Sequence, residues 1–114
     1  MKNDRLLDEY QQAVVPKIVR LFSPAKILIA GSRAKGTAAK DSDIDVIIIA
    51  DAFLGVPFVR RMALVMKSAR FKKHVDYFCY TPEEFERLKL TSGILRDAVS
   101  NARDVFHEPE AQVG

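Results

Sequence analysis

Asp43 and Asp45 stand one residue apart at the opening of the apolar run Ile44 to Ile49. On a strand, side chains at i and i+2 leave the same face, roughly 6–7 Å apart along the chain. Ile44 then points the other way, into a core. Two carboxylates that close raise one another's pKa unless something positive lies between them. A hard divalent cation such as Mg²⁺ supplies that charge, takes oxygen ligands and commonly carries substrate phosphates. The bland alternative is a turn over Asp41, Ser42 and Asp43 followed by a solvated strand residue. The pair alone does not decide between them.

Gly31 and Ser32 follow another apolar run, Lys26 to Ala30. A glycine directly after a buried strand lets the backbone turn with φ > 0 or approach a ligand closely. Ser32 suits the N-cap of a short helical turn over Arg33, Ala34 and Lys35, and amides at such a turn attract anions such as phosphate. By themselves, Gly-Ser pairs are more often ordinary caps. Here the turn and the aspartate pair fall at adjoining strand ends, where a triphosphate site and a metal site would face each other. Asp76 is the single acid in the run Val75 to Tyr80. It is costly to bury unless paired or metal-bound, or else it is an exposed edge-strand residue.

Gly31-Ser32, ten residues and then Asp43-x-Asp45 resembles the signature of the DNA polymerase β-type nucleotidyltransferases. The stretch GSRAKGTAAKDSDIDVIII is similar to that of the minimal nucleotidyltransferases (MNT domains), many of which are antitoxins paired with HEPN-domain toxins. Lys35 stands where an arginine is frequent. The resemblance implies an α/β (α+β) polymerase β-like fold, a small mixed β-sheet flanked by helices. With it, VDYFCYTPEEF looks like the third-carboxylate strand, so Asp43, Asp45 and Asp76 become the catalytic and metal-binding set for one or two Mg²⁺ ions. Gly31, Ser32, Arg33 and Ser42 become the nucleotide-binding candidates. Two-metal sites hold ions roughly 3.5–4 Å apart and stabilise both oxygens of an in-line displacement. The implied activity is transfer of AMP from ATP to a tyrosine hydroxyl of a HEPN toxin, releasing pyrophosphate. Two further readings stay open: a small-molecule transferase of the aminoglycoside-modifying kind, and an antitoxin that neutralises by contact alone. The first usually carries additional helical domains.

These residues need a scaffold. Unbroken apolar runs at 26–30 and 44–49 suit strands buried on both faces. Leu7, Tyr10, Val14, Ile18 and Leu21 have helical spacing, interrupted by Pro16, which predicts a break near Val15. Ser23-Pro24 ends that segment. Asp51 to Pro57 reads as a loop, and Phe58 to Arg70 as a helix with Phe58, Met62, Val65, Met66 and Ala69 on its packed face. Arg60, Arg61 and Lys67 read as solvated. In the Val75–Tyr80 strand, Cys79 alternates away from Asp76 into the core, and neighbouring His74 reads as a surface or structural residue. Thr81-Pro82-Glu83-Glu84 is a helix start with a capping box. Ile94, Leu95, Ala98 and Val99 mark a further helix, Val105 and Phe106 a short last strand, and the tail from Pro109 a loose end.

At 114 residues, 48% hydrophobic and 29% charged, the chain reads as one globular domain spanning 1–114. It has no bilayer-length apolar run or signal-peptide pattern, and its single cysteine fits a reducing cytoplasm. The net charge of +3 is modest. Arg70, Lys72, Lys73 and His74 form one denser group, which reads as a solvated helix end, so nucleic acid is not the expected direct substrate.

Overall fold

The computed structural model describes residues 4–36 and 42–109. Asp41, Lys40 and the rest of 37–41 lie outside the described residues, as does the tail 110–114. The first apolar segment forms two helices, α1 (Arg5–Ala13) and α2 (Val15–Phe22). Asp4 caps α1, its carboxylate accepting from the amides of Leu6 and Leu7. Pro16 sits in the first turn of α2, where its missing N–H leaves no bond unmade. The chain then runs through β1 (Lys26–Ala30), the short α3 (Gly31–Lys35) and β2 (Ile44–Ile49). A single 3₁₀ turn at Asp51–Phe53 breaks the expected loop and buries Phe53. After it come α4 (Phe58–Ser68), β3 (Val75–Tyr80), α5 (Pro82–Thr91), α6 (Gly93–Ser100) and β4 (Arg103–His107).

The four strands form one mixed sheet in the order β3-β2-β1-β4. β1 runs antiparallel to both neighbours, whereas β2 and β3 are parallel. A parallel pair requires a crossover, and α4 supplies it. The two faces of the sheet are covered unequally. Ile27, Ile29, Val46, Ile48, Tyr77 and Cys79 meet α1, α2 and α4 in the main core, around Leu7, Tyr10, Ile18 and Val65. Within it the Tyr10 hydroxyl donates to that of Tyr77 at 2.8 Å. Burial pushes the Cys79 thiol up to about 12, leaving it an inert core group. The opposite face carries a smaller cluster of Leu28, Ala30, Ile47 and Ile49 under Phe85 of α5. Phe78 on this face remains 42% exposed, and α6 contributes no fully buried residue.

α4 packs differently from its apolar stripe. Phe58 and Met62 are exposed, while Arg61, Val65 and Ala69 are buried. The Arg61 guanidinium donates to the carbonyls of Val56 and Cys79 and to both oxygens of Glu84. These fixed acceptors make its burial tolerable. Glu84 also completes the expected capping box with Thr81. Its carboxyl is held down to about 2, chiefly by the Arg61 hydrogen bond. Among the described residues, no helix is long and apolar enough to cross a membrane.

Candidate active site

Register decides how the acids meet. In the parallel β2–β3 pair, Asp45 and Asp76 are direct partners, so both side chains leave the same face as neighbours. Asp43 lies two residues before Asp45 and His74 two before Asp76, which places them on that face at the sheet end. Cys79 faces the opposite side, as alternation requires. All three predicted carboxylates therefore converge on the thinly covered face, beyond the Leu28–Ile47 cluster. Asp43 is exposed, and Asp45 and Asp76 are half-buried.

Gly31 joins this group from the next strand. Ala30 pairs with Asp45, and the chain turns immediately afterwards at Gly31 with φ +74°. A Cβ built there would collide with Asp45 Oδ2. The glycine thus serves both the left-handed backbone and the close approach of the carboxylate. The helix N-cap is Ala30 instead of Ser32. The helical turn starts two residues early, at Gly31 with its positive φ, so Ser32 sits within α3, exposed at its surface.

Arg33 is buried and built into the framework. Its Nε donates to the Ser42 carbonyl at 2.7 Å, and its Nη1 to Asp4 Oδ2 at 2.8 Å. Two of the nucleotide-binding candidates are therefore bonded to each other, tying the entry to β2 to the start of α1. Ser42 is half-buried beside Asp43.

His74, expected as a surface or structural residue, is exposed and bonded to one of the acids. Its Nε2 lies 2.7 Å from Asp76 Oδ1, and donor atoms of Asp43, His74 and Asp76 all lie within 4.8 Å of one another. The signal was present in the sequence: His74-x-Asp76 repeats the Asp43-x-Asp45 spacing on the neighbouring strand. The hydrogen bond to Asp76 raises the His74 pKa, with burial opposing and the Asp76 and Asp43 charges adding. The pKa of Asp45 is raised by burial, then by Asp76, then by Asp43. Carboxylates under mutual repulsion beside an imidazole are donors of the right chemistry for a divalent cation, which would relieve that repulsion.

Comparisons with known proteins bear on the family and the fold. Residues 13–111 match the family described as the nucleotidyltransferase domain. A crystallised candidate nucleotidyltransferase from Sulfolobus solfataricus superposes with a TM-score of 0.62 at 20% identity, covering 98% of this chain and 96% of that one. BolA1 from Arabidopsis thaliana reaches a TM-score of 0.50 at 20% identity, over 73% of this chain and 98% of its own. At such identities both likenesses are of fold alone. No curated protein matches the chain at a significant level. The mixed four-stranded sheet flanked by helices is the polymerase β-like nucleotidyltransferase fold expected above. By the family match over nearly its whole length, the chain belongs to the nucleotidyltransferase domain family.

Proposed function

We propose that this nucleotidyltransferase is a protein adenylyltransferase antitoxin, moving AMP from ATP to a tyrosine hydroxyl of a HEPN-domain toxin with release of pyrophosphate. The observation that carries the metal-dependent part is the register pairing of Asp45 with Asp76, with Asp43 on the same face and Gly31 against Asp45. The adenylyltransferase and antitoxin part rests on the resemblance of GSRAKGTAAKDSDIDVIII to the minimal nucleotidyltransferases.

In this reading Asp43, Asp45 and Asp76 would hold Mg²⁺, which when bound offsets charge on the triphosphate and on the α-phosphoryl group as it transfers. The turn at Gly31 and Ser32 receives the β- and γ-phosphates through backbone amides. Arg33 holds that turn and the approach to Asp43 in place through Asp4 and the Ser42 carbonyl. Asp76, on the edge strand, has an open flank toward which an acceptor hydroxyl can be brought, and its carboxylate can take the proton that hydroxyl loses. The acceptor oxygen bonds to the α-phosphorus as the bond to the β-phosphate oxygen breaks.

The test incubates the chain with α-labelled ATP, Mg²⁺ and a HEPN-domain protein from a neighbouring gene, the existence of that gene being the first thing to establish. Label should appear on a tyrosine of the HEPN protein and vanish with Asp43→Asn combined with Asp45→Asn. Persistence of labelling in that double variant would refute the assigned site. Neutralisation of the toxin without ATP, surviving loss of the acids, would instead establish inhibition by contact.

A further inference from the structure

We infer that His74 is itself a ligand of the divalent-cation site, which makes the donor set mixed nitrogen and oxygen and tunes it toward borderline transition ions. This rests on the metal-dependent reading above and names a residue and a metal class that the three-carboxylate pattern does not contain.

Four side chains form a two-by-two array at the end of the sheet. Asp45 on β2 and Asp76 on β3 are register partners, and Asp43 and His74 sit two residues before them, just ahead of the two strands. Neighbouring ligand atoms around an ion with bonds of about 2.1 Å lie roughly 3 Å apart, and opposite ones roughly 4 Å apart. His74 Nε2 and Asp76 Oδ1 are 2.7 Å apart, close to the first spacing. Asp43 completes a set whose ligand atoms lie within 4.8 Å of one another, somewhat wider than the second. Ligation of one ion by all three would replace the His74–Asp76 hydrogen bond and call for side-chain rotation at the exposed Asp43 and His74. Asp45 remains beside them, its Oδ2 packed against Gly31, as a bridge toward the phosphate turn.

Position supports the same role. The imidazole lies at the sheet end with 48% of its side chain exposed, so an ion reaches it without unfolding anything. Imidazole nitrogen favours Zn²⁺, Co²⁺ and their neighbours, whereas all-carboxylate sites suit Mg²⁺ and Mn²⁺. Cys79, which would compete for a soft ion, is buried on the other face. His74 therefore adds affinity for borderline ions and contributes little to Mg²⁺ binding.

The experiment titrates the full chain with Zn²⁺ alone and with Mg²⁺ alone, following binding heat and the ¹⁵N resonances of the imidazoles. The chain has two histidines. His107, on β4 at the opposite sheet edge, is the internal control. Zn²⁺ should shift the His74 Nε2 resonance and leave His107 unchanged at equal occupancy. His74→Gln, which keeps a hydrogen-bonding group beside Asp76, should weaken Zn²⁺ at least ten-fold while changing Mg²⁺ less than two-fold. Circular dichroism and the melting temperature report whether the variant stays folded. Unchanged Zn²⁺ affinity, or Mg²⁺ binding that tightens when His74 is replaced, would overturn the assignment and make His74 only a counter-charge for Asp76. If Mg²⁺ binding still depends on Asp43 and Asp76, that failure spares the proposed function. Absence of any aspartate-dependent binding would sink both.

Discussion

Replacing Gly31 by alanine separates a backbone cost from a site cost, because Gly36 provides a matched control. The two glycines have nearly the same left-handed backbone, φ +74° and +75°. An alanine at either pays the left-handed penalty of about 1–2 kcal/mol. For a chain of this size each kcal/mol lowers Tm by roughly 3–8 °C, so both variants should melt several degrees early. Their surroundings differ. Among the described residues, a Cβ at Gly36 meets nothing within 4 Å, whereas one at Gly31 collides with Asp45 Oδ2. To regain ordinary contact the carboxylate must retreat by about 1 Å, and a misplacement of that size costs on the order of 100-fold in rate. Gly31→Ala should therefore transfer label about 100-fold more slowly and bind Mg²⁺ more weakly, whereas Gly36→Ala should stay within a few-fold of the parent. Thermal melting, Mg²⁺ titration and the labelled-ATP assay measure the three quantities on the same samples. Equal losses of activity in the two variants would refute the claim that Gly31 is needed for the approach of Asp45.

Asp45→Asn should stabilise the metal-free protein at pH 7 by about 1 kcal/mol, a usual gain when functional-site repulsion is removed. The sign follows from its raised pKa: its proton favours the folded state fully below the unfolded value, and that advantage is lost as pH rises through the folded value. Added Mg²⁺ should raise the Tm of the parent more than that of the variant, and a variant less stable than its parent at pH 7 would contradict this. Glu84→Gln keeps the capping box but strands the Arg61 charge, at a cost of roughly 2–3 kcal/mol, below the 3–5 typical of fully buried pairs because Glu84 retains some solvent contact. Its depressed pKa of about 2 means the contribution is present above the ordinary carboxylate range and lost as pH falls through about 2. Denaturant melts between pH 5 and 2 should converge for the two proteins, and parallel curves would exclude this pair as the cause. Asp76→Ala should leave ATP binding largely intact while abolishing transfer, and unimpaired turnover would remove Asp76 from the mechanism.

The sequence by itself determined the strands at 26–30, 44–49 and 75–80, the break at Pro16, the Thr81 cap, and the acids that would share a face. These features depend on short-range rules: strand alternation, proline's missing donor, and the reach of a capping side chain. Only tertiary structure decided the rest. Whether Asp76 would stand beside Asp45 depended on the parallel register of β2 and β3, which is set by the crossover through α4 and by packing on both sheet faces. Arg61 and Arg33 both read as charges free to meet solvent or substrate. Arg61 is buried because carbonyls and a carboxylate distant in sequence converge on it, and Arg33 because Asp4 and Ser42 do. His74 acquired its position among the acids from the same register, since a one-residue slip would have sent it to the other face.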